Sequence, residues 1–438
     1  MLFQILSTVE KTSITDSTPP TSPALSTLSS LLSSQSPSHL QGSPTKDTPM
    51  LPAGRLFPRK QKGHKQKPYD VVAALTRRDI AFLRKLLDRG VDPDTAIHES
   101  IWPKNNFQIY PVISCAQSGN LEMTDLLIQY GASLAVTDRF GHTGISCAAI
   151  NNQTEAVKLF LDYGMNIDTP TKDSPSSDDY GLTPLMSAIM WDSTVETLQF
   201  LLVCGADLGL TTAKKHVSAL HLAAKDPSTA KLKCILESQQ FRKEFIDKKN
   251  ADGQTALHGA AIAGINEALQ LLVEHGADIN EIDGSRKSAL HHAVQKKHLP
   301  SVKYLLTVPE LNLDLRCSIG WPASQYSLVN GDLPMVRLLQ SNGVDLSRSH
   351  LYGLDIPTMS YLLGFGIKID KRGIKGITAL IWAAYCGNKE HVLWLLDLGA
   401  DSTLVSKDCN GLKGTAAGIA RQRGFTEIVS LIEKFELR

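Results

Sequence analysis

The sequence predicts an all-α solenoid of about eleven helix-turn-helix units, joined by β-hairpin-like loops and preceded by a disordered tail. Three observations lead there. One stretch, Asn250 to Asn280, reads by itself as a hairpin followed by two short helices. Its closing glycine recurs along the chain at an average step of about 34 residues. Upstream of residue 68 the composition turns to Ser, Thr and Pro, with almost no aromatic side chain after Phe3.

Within NADGQTALHGAAIAGINEALQLLVEHGADIN, Asp252 and Gly253 mark a tight turn, because glycine reaches the positive φ that such turns demand. Thr255 offers a hydroxyl to the orphan N–H groups of a helix start. Leu257, Ala260 and Ala261 then share one helical face, and their small size lets a second helix approach closely. Gly264 closes that helix. The next carries Ala268, Leu271, Leu272 and Val273 inward and stops at Gly276. So small a unit cannot bury its apolar face alone and must stack on its neighbours. Equivalent glycines stand at Gly90, Gly131, Gly164, Gly205, Gly343, Gly366 and Gly399, each preceded by an apolar pair such as Leu126-Leu127 or Leu395-Leu396. The longer intervals, Gly205 to Gly276 and Gly276 to Gly343, hold about two units apiece.

The phrases DYGLTPL at Asp179 to Leu185, TALH at Thr255 to His258, GADIN at Gly276 to Asn280 and TAL at Thr378 to Leu380 resemble the ankyrin repeat. The resemblance covers residues 68–438, about 85% of the chain. It implies a non-catalytic scaffold or adaptor that binds proteins on a concave face of hairpin tips and first helices. It leaves two alternatives, a regulatory subunit or cofactor of an enzyme or transcription factor, and a direct nucleic-acid binder using basic tail and tips.

Taken in order, residues 1–67 form a Ser/Thr/Pro-rich tail too poor in apolar residues to offset its ordering entropy. Thr18, Ser22, Ser36, Ser43 and Thr48 each precede proline and are candidate phosphorylation sites; phosphate there would turn the tail acidic. Arg55, Arg59, Lys60, Lys62, Lys65 and Lys67 end the tail in a basic segment that suits either nuclear import or a soluble linker. The array then runs over residues 68–438. Its first unit, near 68–97, has a degenerate first helix, as a terminal unit with one wet face should. An extended loop follows around Ile101 to Pro111, and an exposed loop is expected at Thr169 to Asp178. The fourth unit, with Thr183 as cap and Pro184 at the first helical position, matches the family phrase best. In the seventh, Arg286 replaces the hairpin glycine. Units near 315–343 and 344–370 are degenerate: the step from Gly343 to Gly366 is only about 23 residues, so the ninth unit keeps its second helix and little of its first. Thr415 to Ala420 with Ile428 to Ile432 reads as the C-terminal cap.

A net charge of +1 argues against global attraction to nucleic acid or membrane. Seven cysteines, without Cys-x-x-Cys pairs, favour a reducing compartment, cytoplasmic or nuclear or both. No window is long and apolar enough to span a membrane. His221, His258 and His291 follow Ser218, Thr255 and Ser288 by three residues, which places each imidazole on its own capping hydroxyl or the adjoining hairpin and not in a metal tetrahedron. No phosphate loop, nucleophile elbow or kinase signature appears, and the repeats leave no room for a fused catalytic module, so no enzyme, cofactor or metal is expected. The candidate residues are those of the hairpin tips. Arg139, Phe140, Asp179 and Tyr180 offer an aromatic anchor for a partner protein. Lys214, Lys215, Lys248, Lys249, Arg286, Lys287, Lys371, Arg372 and Lys375 suit an acidic surface on it.

Overall fold

The computed structural model describes residues 68–95, 97–98, 108–173, 180–191, 193–347 and 349–437. The tail 1–67, with Thr18, Ser22, Ser36, Ser43, Thr48 and the basic segment Arg55 to Lys67, lies outside the described residues, as does Asp179.

Among the described residues 21 α-helices are assigned, ten pairs and one single helix. The first four pairs are Pro68–Thr76 with Ile80–Asp88, Pro111–Ser118 with Leu121–Gln129, Gly144–Ile150 with Thr154–Asp162, and Pro184–Met190 with Val195–Val203. The next four are Ala219–Ala223 with Ala230–Leu236, Ala256–Ala263 with Asn266–Glu274, Ala289–Gln295 with Leu299–Leu305, and Ala323–Val329 with Leu333–Ser341. Ile356–Gly364 stands alone as the ninth unit. Ala379–Cys386 with Lys389–Asp397 and Ala416–Gln422 with Thr426–Glu436 complete the row. Short antiparallel pairings join Ile97–His98 to Gln108–Ile109 and Ser406–Cys409 to Leu412–Gly414.

Several of the short first helices begin at a side-chain cap. Thr183 Oγ1 accepts from the Met186 N–H, and Pro184 occupies the position whose N–H would be orphaned anyway. Helix Ala256–Ala263 buries Leu257, Ala260 and Ala261 and ends at Gly264, whose φ of 75° suits glycine. Behind it, Asn266–Glu274 buries Ala268, Leu269 and Leu272. Each fully buried leucine of this kind contributes about 1.5–3 kcal/mol by leaving water.

Backbone bonds tie the hairpins into a ladder. Lys172 N–H donates to Gly141 O (3.0 Å), Ala213 to Tyr180 (2.8 Å), Ala251 to Lys215 (2.9 Å), Gly284 to Asp252 (2.9 Å) and Ser318 to Ser285 (2.9 Å). A Cβ at Gly253 would lie 2.6 Å from Gly284 N, so the close approach of successive hairpins requires glycine there. A second series runs through the loops after the second helices. Asp94, Asp168, Asp247, Asn280 and Asp370 side chains accept the N–H of Ser133, Asp207, Asp278, Asn312 and Asp401, one unit on.

The ninth unit breaks this regularity. Leu346, Leu351 and Leu354, from the loop between Ser341 and Ile356, are buried where a first helix would otherwise supply the core. The buried apolar side chains correspondingly form two clusters, Val71 to Leu339 and Leu328 to Ile432, which overlap only in the eighth unit.

Candidate functional site

The hairpins are rigid from the inside outward. Three of them are folded about one polar side chain: Asp138 Oδ1 accepts from Phe140 N (2.8 Å) and His142 N (2.9 Å), Asn250 Oδ1 from Asp252 N and Gln254 N (both 2.9 Å), and Asp283 Oδ1 from Ser285 N and Lys287 N (both 2.8 Å). These are local turns closed by a side chain that mimics backbone.

The repeated histidines then lock each helix start to the next hairpin. His221 Nδ1 accepts the Ser218 N–H (3.2 Å) and lies 2.7 Å from its hydroxyl, while Nε2–H donates to Gln254 O (2.8 Å). His258 does the same between Thr255 (3.1 and 2.9 Å) and Lys287 O (3.0 Å). His291 joins Ser288 (3.2 and 2.9 Å) to Trp321 O (3.1 Å). An Nδ1 that accepts a backbone N–H fixes the proton on Nε2. In the eighth unit Gln325 takes the histidine's place behind Pro322, and its Nε2 has no hydrogen-bond partner among the described residues.

Burial lowers the pKa of His221, His291 and His292, and lowers His258 to about 4, the neighbouring His292 adding to the effect. His292 Nε2 lies 2.8 Å from Asp283 Oδ2, so the seventh hairpin is also held from its own helix.

Outside this frame stand the tips. Arg139 is exposed and its guanidinium lies 4.6 Å from the Phe140 ring centroid; Lys214 Nζ lies 5.1 Å from that of Tyr180. Lys215, Arg286, Arg372 and Lys375 are exposed, and Lys375 pairs with Asp408. Arg286 and Lys375 adopt φ of 58° and 59°, the left-handed region. Other basic residues are turned back onto the array. Lys248 Nζ bonds Gly209 O, Lys249 pairs with Glu281 (2.6 Å), Lys287 bonds Gln295 Oε1 (2.9 Å) and Lys371 bonds Ser347 O. Lys248, Lys249, Lys371 and Lys375 thus tie neighbouring units, Lys287 bonds its own unit's first helix, and Lys215, Arg286 and Arg372 are exposed.

Two residues that the sequence reading passed over join the aromatic end. Trp191, 39% exposed, meets His142 edge-on with ring centroids 4.6 Å apart, and Met190 beside it is 48% exposed. His142 in turn lies 6.0 Å from Phe140. The third and fourth units thus present Arg139, Phe140, Trp191 and Met190 on adjoining surface. A tryptophan ending a first helix carried the signal, but only the fold shows that its ring reaches back to the preceding hairpin.

Among the described residues no group of three His, Cys, Asp or Glu side chains could hold a metal ion, and no helix is long and apolar enough to cross a membrane.

Comparison with known proteins adds the following. The family described as Ankyrin repeats (3 copies) matches residues 71–170, 112–212 and 192–283, and Ankyrin repeat matches 375–407. The B-cell lymphoma 3 protein homolog of Mus musculus is 30% identical over 223 residues, which cover 51% of this chain and 48% of that protein. The Nuclear factor NF-kappa-B p105 subunit of Gallus gallus is 27% identical over 264 residues, covering 59% and 26%. The chain thus spans about half, or less, of the length of these curated relatives. Among solved structures, the ankyrin repeat domain of Bcl-3, titled a unique member of the IkappaB protein family, is similar with a TM-score of 0.45 and 22% identity over 53% of this chain and 98% of that one.

Proposed function

The chain belongs to the ankyrin repeat family, and on that premise we propose that it is a non-catalytic adaptor that docks partner proteins on its hairpin tips and first helices. One observation carries the reading: backbone bonds tie successive hairpins from the third to the eighth unit, while Arg139, Lys215 and Arg286 extend from that frame into solvent. Preorganised tips lose little conformational freedom on binding, which favours affinity. Arginine and aromatic side chains are the types that most often dominate interface energy, so Arg139, Phe140 and Trp191 form the apolar anchor and the basic tips receive an acidic surface. Within this reading the array serves in the nucleus, the cytoplasm or both, with residues 1–67 as its addressing and regulatory tail.

A regulatory role is favoured by the relatives, one of which is named as a subunit of a nuclear factor. A direct nucleic-acid role is the weaker alternative, since the net charge is only +1; a steep linear fall of log affinity with log salt would be its signature. The test is proximity labelling in cells with the full chain, with residues 68–438, and with a K215E/R286E double variant. Loss of a defined set of neighbours in the double variant, with the urea midpoint unchanged, is the expected result. Identical neighbour profiles in all three would overturn the proposal.

A further inference from the structure

The loops after the second helices share one repeated tie. At five junctions the side chain of Asp94, Asp168, Asp247, Asn280 or Asp370 accepts the N–H of Ser133, Asp207, Asp278, Asn312 or Asp401 in the next unit, at 2.8–3.1 Å. Where the unit ends in a glycine, the acceptor stands four residues after it. Counted from Gly343, that position in the eighth unit is Ser347, whose hydroxyl makes no such bond. The matching N–H, that of Lys368 two residues after Gly366, has no hydrogen-bond partner among the described residues. An open N–H alone selects nothing, since Asn166 has one beside Ala135. At the eighth junction the same loops also enclose a groove.

That groove, of about 840 Å³, lies between Val344 and Leu346 of one loop and Phe365, Ile367 and Ile369 of the next. Phe365 is 55% exposed yet held in place. Its ring packs on Tyr361, centroids 4.8 Å apart, and the Tyr361 hydroxyl donates to Gln340 Oε1 at 2.6 Å. Tyr130 and Tyr163, at the same position before a glycine, instead turn their hydroxyls onto Asp88 and Asp125 of the preceding unit. Both carboxylates at the groove are engaged: Asp345 accepts the Ser347 N–H and Asp370 that of Asp401. Lys371 bonds Ser347 O, while the exposed Lys368 ammonium has no ion-pair partner among the described residues. The five tied N–H groups face the loop before them, so that of Lys368 faces the groove, beside its own cation and an apolar wall.

We infer that this groove docks a segment of a partner protein in which one carboxylate is flanked by large apolar side chains. The carboxylate takes the Lys368 N–H and ammonium, and the apolar side chains lie on Phe365 and Val344. The array itself shows what such an N–H selects. Four of its five acceptors are aspartates, and Ile167, Ile246, Ile279 and Ile369 each precede an acceptor. Charge complementarity with the free cation carries the choice of a carboxylate over an amide. The surface is separate from the hairpin tips, so K215E/R286E should bind the segment as the parent chain does, and the two readings fail independently.

The test is fluorescence anisotropy with the purified full chain and the labelled, end-capped peptide Gly-Ser-Leu-Asp-Leu-Ser-Gly. Comparators carry asparagine or lysine in place of the aspartate, or serine in place of both leucines. The aspartate peptide is expected to bind about fivefold more tightly than the asparagine one, and the lysine peptide not measurably. Phe365→Ala should weaken binding about tenfold. Ser347→Asp should rebuild the tie within the chain and lower peptide binding at least about tenfold, with a urea midpoint at or above the parent's to show an intact fold. Undiminished binding to the Ser347→Asp variant, equal binding of the aspartate and lysine peptides, or no binding of the aspartate peptide would overturn the inference. A dimer of the chain that Phe365→Ala disrupts would give the groove to a second copy and overturn it equally.

Discussion

Arg286 is held where glycine is at ease. Its φ of 58° costs a residue with a Cβ roughly 1–2 kcal/mol, and its side chain makes no hydrogen bond or ion pair among the described residues to offset that. Arg286→Gly should therefore raise stability by about 1 kcal/mol while weakening partner capture, measured as opposite shifts in urea midpoint and pulldown yield. A variant that loses stability would refute the strain. At His258 the expectation reverses. His258→Ala leaves the Thr255 N–H and Lys287 O unpartnered in a buried setting and should destabilise the array by about 2 kcal/mol. The buried histidines also set a pH dependence with a definite sign. Their folded pKa values lie below the ordinary 6.5, so the unfolded chain binds more protons beneath that pH. Stability should be full above pH 6.5 and be lost as pH falls toward about 4, the value for His258. Urea midpoints across that interval test this, and a flat profile would contradict it. The capping role of these histidines was legible from their offset to Ser218, Thr255 and Ser288. The receiving carbonyls were not, because they lie about 30 residues onward in sequence.

At the level of elements, the ninth unit is the weak joint. The tip ladder ends at Ser318, the histidine ties end at Gln325, and the buried core divides in the eighth unit. A loop filled by Leu346, Leu351 and Leu354 replaces a hydrogen-bonded helix. Amides between Gly343 and Leu354 should accordingly exchange with solvent faster than those of Ala256–Ala263 by at least about tenfold, read by hydrogen-exchange mass spectrometry. Comparable protection in both segments would show that the joint is as firm as the rest. The short glycine interval, Gly343 to Gly366, is the sequence signal for a unit with little of its first helix. Which leucines fill its place depended on the path of the loop, and period carries no information about that.

Across the whole molecule, the repeats commit stability to nearest-neighbour contacts, so each unit is only as firm as the one beside it. Composition, the glycine period and the capping phrases determined the all-α stacked architecture and the placement of most helices, because those signals act within a few residues of one another. Tertiary structure alone decided which basic residues are tips and which are ties. Lys248 and Lys249 look identical to Lys214 and Lys215 in sequence, yet one reaches Gly209 and the other Glu281 in adjacent units. It likewise placed Trp191 beside His142. A local pattern sets where a helix begins; where a long flexible side chain finds its partner is fixed only once the neighbouring unit has been stacked against it.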